Sequence, residues 1–175
     1  IAAGLALLLG LLTALTFQDL AGFIALSRAA APLGLPEPVF GRDAAYYLAR
    51  LPLLETLHLL LAISVVTTLI IVSGLYALTG SLVVRQRRLV ASAHARVHLT
   101  ALLAVLALVL AWGFRLDASQ LVAGGGSDAG ALTAVDRGLR IPAAGTLGAL
   151  CIVVAALTIL FIRRGRGIAL LAIWS

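Results

Sequence analysis

The chain has 175 residues, 62% of them hydrophobic and only 11% charged, with a mean hydropathy of +1.14. Soluble domains are roughly half apolar and one-quarter charged, so the solvent for most of this chain is lipid. The net charge of +6 comes from thirteen arginines and no lysine against seven acids. These arginines stand at the ends of apolar runs, where they read as topology signals and lipid-phosphate contacts; a nucleic-acid surface, which needs a solvated basic patch with aromatics, is not expected.

A spanning helix needs about 20 apolar residues to cross roughly 30 Å of hydrocarbon. Four segments meet this, 1–27, 53–78, 97–114 and 143–162. None alternates with period two and all exceed the about ten residues of a barrel strand, so the expected fold is an all-α polytopic transmembrane helix bundle. The first segment carries Thr13, Thr16, Gln18 and Asp19, which bring its latter part along or above the interface. It has neither a basic n-region nor a small-residue cleavage site, so it does not read as a signal peptide. Ile1 already lies in an apolar run and Ile168 to Ser175 look like the start of a fifth span, so the chain reads as part of something longer.

The loop 28–52 follows. Pro32, Pro36 and Pro38 favour extended or turn geometry, while the residues from Asp43 to Arg50 have helical composition ahead of Pro52. Asp43 is placed to cap a short interfacial helix bearing Tyr46 and Tyr47, whose amphipathic rings suit the headgroup belt. After the second span comes the loop 79–96 with Arg85, Arg87, Arg88 and Arg96, and after the fourth the loop 163–167 with Arg163, Arg164 and Arg166. Those two loops hold seven arginines and no acid, whereas the remainder holds six arginines and seven acids. Cytoplasmic loops retain excess arginine, so this asymmetry puts 79–96 and 163–167 inside, 28–52 and 115–142 outside, and the start of the chain inside a bacterial cytoplasmic (inner) membrane.

Glu55 and His58 stand three apart, on one face near the outer end of the second span. Ionisable groups at membrane depth are costly and default to functional hypotheses. One reading is a proton- or ion-pathway pair, or His58 as axial ligand to a tetrapyrrole; the other is a hydrated pair close to the outer interface, bonded to the outer loops. His94 and His98 have a metal-holding spacing, but Arg96 lies between them and no acid accompanies them, so they read as headgroup-facing. Asp117, Asp128 and Asp136 are too loosely spaced for a hard-cation site, and no metal is expected. The run Gly124-Gly125-Gly126-Ser127-Asp128-Ala129-Gly130 lacks the flanking strand and helix of a phosphate cradle and reads as a flexible loop tip. Cys151, the single cysteine, lies in an apolar run and reads as inert. Gly4/Gly10 and Gly145/Gly148/Ala149 read as helix-packing positions. No nucleophile elbow, zinc-protease motif or phosphate loop occurs, and no nucleophile, base and orienting group can be assembled, so no enzyme is expected.

At Pro38-Val39-Phe40-Gly41-Arg42-Asp43, followed by Tyr46-Tyr47 and Leu51-Pro52, the chain resembles a bacterial multi-spanning membrane protein family, number 0182 in the UPF series, with its pattern D-P-x-F-G-x-D-x-x-F-Y-x-x-x-L-P. Ala111-Trp112-Gly113-Phe114-Arg115-Leu116-Asp117 with Leu121, and Asp136, Arg140 and Pro142, resemble later stretches of that family. Glu37 stands for the first Asp, Tyr46 for the Phe, and Ala134-Val135 for a Tyr-Thr pair. The resemblance runs from about Thr16 to Phe161. It implies an amino-terminal block of about seven spans, usually followed by a large extracytoplasmic domain, and no particular chemistry. The expected role is therefore a non-catalytic membrane subunit without a cofactor, packed against lipids and other membrane proteins or anchoring an outer domain. Such a subunit would suit a larger respiratory or photosynthetic assembly. A transporter or channel component using Glu55 and His58, or a tetrapyrrole-binding subunit using His58, stands as the alternative.

Overall fold

The computed structural model describes residues 10–11, 14, 20–85, 88–125 and 134–163. The chain is mostly helical: α1 spans Leu20–Ala29, α2 Leu51–Leu78, α3 Ala93–Gln120 and α4 Ile141–Arg163. With their flanking turns, three helices are long and apolar enough to cross a membrane, Tyr46–Leu78, Ala93–Gly124 and Asp136–Ile162. Four full spans are thus not seen among the described residues. The expected first span lies largely outside them, with α1 as its main described part. The opening of a fifth span, Arg87, Arg164, Arg166 and the loop tip from Gly126 to Gly130 also lie outside the described residues.

The short interfacial helix expected before Pro52 is not a separate element. Helical backbone begins at Ala44 and runs without a break into α2 through a π-helical turn, Tyr46–Arg50. Proline removes an N–H and its ring crowds the carbonyl four residues back, which ordinarily ends a helix. Here the turn just before it is widened, and the Leu51 N–H donates to the Tyr46 carbonyl five residues back. The same solution recurs at Pro142: a π-helical turn, Asp136–Arg140, precedes α4, and the Ile141 N–H donates to the Asp136 carbonyl. Both sites read arginine, branched aliphatic, proline in sequence, Arg50-Leu51-Pro52 and Arg140-Ile141-Pro142.

The segment 115–142, expected as a loop, is helical at both ends. Leu116, Ala118 and Ser119 are buried while Arg115, Asp117 and Gln120 are exposed, so α3 continues beyond its apolar stretch on an amphipathic face. The segment 79–96 differs more. It holds an antiparallel hairpin of β1, Leu82–Arg85, and β2, Arg88–Ala91, with Leu82 opposite Ala91, Val83 opposite Val90, Val84 opposite Leu89 and Arg85 opposite Arg88. The fold is therefore not purely helical. Two Val/Leu-rich tetrapeptides on either side of a two-residue connection favour extended pairing over a loop.

The described residues fall into two compact units, one from 1–60 and 113–145, the other from 61–112 and 146–175. Within the first, Ala49, Leu51, Leu116, Ala118, Ala144 and Asp136 are buried; within the second, Val65, Ala95, Leu99, Ala104, Ala107, Val109 and Ala155 are. Alanines at four of these seven positions allow close helix approach by van der Waals contact. The glycines expected for this role contribute less: Gly148 is buried, but nothing lies near the position of a Cβ on Gly10 or Gly145.

Candidate functional site

The segment from Leu33 to Tyr47 is organised by two carboxylates. The Asp43 side chain accepts from three backbone amides: Leu33 N–H at 3.0 Å, Gly34 N–H at 2.7 Å and Ala45 N–H at 2.8 Å. The last of these caps the helix that leads into α2. Glu37 binds the turn beneath it, accepting from the Val39 N–H, the Phe40 N–H at 2.8 Å and the Tyr47 hydroxyl at 3.1 Å. Backbone bonds from Glu37 N–H to the Arg42 carbonyl (2.8 Å) and from Ala44 N–H to the Leu35 carbonyl (3.0 Å) close the loop. Gly41 sits at φ 65°, left-handed backbone that a side chain rarely adopts, which explains a glycine between Phe40 and Arg42. The Arg42 guanidinium lies 4.3 Å from the Tyr46 ring centroid, and that ring meets Tyr47 edge-on at 5.3 Å.

These donors hold the Asp43 carboxyl below the usual carboxylate range, chiefly through the Ala45 amide and next through that of Leu33. A depressed folded-state value contributes stability that is present above the unfolded value, about 3.9, and is lost as pH falls through the folded one. Hydrogen exchange across 30–45 is therefore expected to stay slow from neutral pH down to about pH 4, with protection lost only below it. Asp43→Ala should lose that protection at neutral pH; an unchanged exchange profile would show that the carboxylate does not hold the loop.

Asp136 is 1% exposed, the only charged residue buried among those described. Its carboxylate meets the Arg140 guanidinium at 3.1 Å, one turn on in the widened entry to α4, and the arginine side chain is 55% exposed. A buried carboxylate needs such a partner. His58 and Gly113 form the third feature. A Cβ built on Gly113 would lie 2.8 Å from His58 Nε2 and 2.9 Å from Cε1, so the tip of the imidazole takes the space that a side chain on α3 would need there. Glu55, one turn earlier on α2, is half-buried, as is His58.

Three parts of the resembling motifs thus do distinct structural work in one unit: a carboxylate-tied loop, a buried ion pair and a glycine seat for an imidazole. Across residues 1–175 the chain matches the model of the Uncharacterised protein family (UPF0182). The chain belongs to the UPF0182 family. It is 36% identical to a UPF0182 protein of Geobacter sulfurreducens over 110 residues, 63% of this chain and 12% of that protein. It is 37% identical to one of Moorella thermoacetica over 120 residues, covering 66% and 13%. With one of Salinibacter ruber it shares 33% identity over 134 residues, covering 76% and 14%. The UPF0182 chain therefore corresponds to about one-eighth of the length of these relatives. No solved structure matches it.

The remaining candidates of the UPF0182 chain are dispersed. Asp117 is exposed while Asp136 is buried, and among the described residues no group of three His, Cys, Asp or Glu side chains is placed to hold a metal. Cys151 is a half-buried free thiol. His94 and His98 lie in the other unit, where His98 Nδ1 and the Tyr76 hydroxyl share a hydrogen bond of 3.0 Å, and the rings of Tyr76 and His94 meet edge-on. Sequence reasoning missed the parts played by Glu37, Gly113, Tyr76 and Arg140. Only Arg140 had a readable signal, its i,i+4 spacing from Asp136.

Proposed function

We propose that this segment is a non-catalytic membrane block that packs against other membrane-embedded protein, including the rest of a longer chain, or anchors an outer domain, in a bacterial inner membrane. The supporting observation is the outward apolar surface. Ile70, Ile71 and Leu75 on α2, and Leu150, Ile152, Val153 and Leu160 on α4, are 43–63% exposed, an apolar surface that further membrane-embedded protein can cover. The span of about one-eighth of the relatives' length fits a block with further protein to receive. The arginine asymmetry supports threading with the hairpin inside and the Asp43 loop outside. Purified in mild detergent, the intact protein is expected to co-migrate with membrane partners or to bury these faces against its own additional spans. A lone protein with the α2 and α4 faces open to lipid throughout would refute the reading.

A second reading is favoured by the seat of His58 on Gly113, which fixes an ionisable ring near Glu55 at a span's end. Under it the pair moves protons or ions, and Glu55→Gln abolishes a flux measured in proteoliposomes; an unchanged flux dismisses it. The tetrapyrrole variant is the weaker, because Nε2 faces the Gly113 backbone and an axial ligand needs a nitrogen open to the iron.

A further inference from the structure

The hairpin β1–β2 poses a physical problem. A two-stranded hairpin is at best marginally stable in water, and this one exposes its apolar side chains, Val84 at 72%, Leu89 at 54% and Val90 at 47%. Alternation along the strands places Leu82, Val84, Leu89 and Ala91 together on one face, with no polar residue among them. Something outside the described residues must cover that face.

Its position says what. Residues 61–78 of α2 form an uncharged stretch of about 18 residues, roughly 27 Å of helix and close to the thickness of a bilayer's hydrocarbon. β1 begins only a few residues beyond Leu78, which is itself 87% exposed. Tyr76, His94 and His98, whose rings meet edge-on beside the hairpin's base, form the amphipathic aromatic cluster that suits headgroup level. The hairpin therefore emerges at the hydrocarbon boundary. From Thr79 to Arg96 the chain carries four arginines and no acid, and Arg85 and Arg88 pair as the last rung of the ladder.

We propose that β1–β2 is an interfacial hairpin that lies in the leaflet it abuts, with Leu82, Val84, Leu89 and Ala91 against the acyl chains, and that the arginine excess of 79–96 gives this leaflet contact a preference for acidic phospholipid. The apolar face supplies non-specific burial and the net charge of the segment supplies lipid preference, the two signals that interfacial binding combines. A protein partner would need an acidic, apolar counter-surface, for which the chain supplies no argument. The arginine excess matches the phosphate plane that the membrane already places there.

The proposal rests on the helices crossing a bilayer, and the test separates the two. Single cysteines at Val105 on α3, which is 43% exposed at mid-span, and at Val84 and Leu89, in a Cys151→Ser background of the intact protein, carry nitroxide labels in nanodiscs, either phosphatidylcholine alone or with phosphatidylglycerol. Depth is read from collision with oxygen against a water-soluble nickel complex. Expected is a deep label at Val105 in both discs, and labels at Val84 and Leu89 at the acyl boundary in acidic discs and shallower in neutral ones. The triple variant Arg85→Gln, Arg87→Gln, Arg88→Gln should abolish that difference, and each arginine removed should lower retention of acidic over neutral lipid about five-fold. A water-exposed Val105 overturns the membrane reading itself. A deep Val105 with Val84 and Leu89 in water overturns the hairpin proposal alone, as does a hairpin shielded from both colliders equally in the two discs, which would mark a protein cover.

Discussion

Gly113→Ala is expected to destabilise the protein by about 1 kcal/mol, the low end of the range for overpacking, because the atoms the new methyl meets are the tip of the His58 ring, which gives way by turning out of its seat. The sign is informative, because alanine in a helix interior ordinarily gains up to about 1 kcal/mol over glycine. A net loss must therefore come from the clash with His58, whose Nε2 and Cε1 would lie 2.8 and 2.9 Å from the new Cβ. In a His58→Ala background the clash is gone, and Gly113→Ala is expected to be neutral or stabilising. Thermal unfolding of the four variants in one detergent gives the coupling. Equal losses in both backgrounds would show that the glycine is not there for the imidazole. If Glu55 and His58 carry protons or ions, the same substitution displaces the ring and lowers flux together with stability.

Arg140→Ala is expected to cost about 1–3 kcal/mol, well above the about 0.2–1 kcal/mol of an exposed ion pair. The asymmetry of the pair is the reason. The Asp136 side chain is 2% exposed and the Arg140 side chain 55%, so removing the arginine takes a partner from a carboxylate that water cannot reach, whereas the guanidinium is already wet. Arg137, exposed and in the same π-helical turn, is the control, and Arg137→Ala should stay within about 0.5 kcal/mol of the parent. Thermal unfolding of the two alanine variants decides it: similar small losses would mean that the Asp136–Arg140 contact holds nothing in place. Arg140→Lys should recover part of the loss, since it restores the charge without the planar fork.

The helices α2 and α4 were legible because their apolar runs are long and uninterrupted, and lipid leaves backbone no alternative to internal hydrogen bonding. The capping position of Asp43 was legible too, since glycine and aspartate ahead of a helical run carry a local signal that needs no tertiary information. What escaped was whatever depends on contact or on exceptions to local rules. Pro52 and Pro142 end the segments 28–52 and 115–142 that read as loops; the π-helical turns that let the chain pass them show only as a repeated Arg-aliphatic-Pro triplet. The strands Leu82–Arg85 and Arg88–Ala91 are four residues each, too short for periodicity to distinguish from a loop, and their arginines drew the reading toward topology. Gly113 carried no signal, because a glycine's meaning lies in what approaches it. Asp136 read as an outer-loop acid although it is buried, since burial is set by tertiary packing rather than by neighbours in sequence.

Substituted-cysteine labelling reads directly how the chain threads the bilayer. In a Cys151→Ser background, Leu35→Cys and Asp128→Cys are expected to react with a membrane-impermeant maleimide applied to intact cells, while Arg87→Cys and Arg164→Cys react only after permeabilisation. Labelling of positions 87 and 164 from outside, with 35 and 128 protected, would contradict this threading and exchange the sides, with the arginine hairpin outside and the Asp43 loop inside.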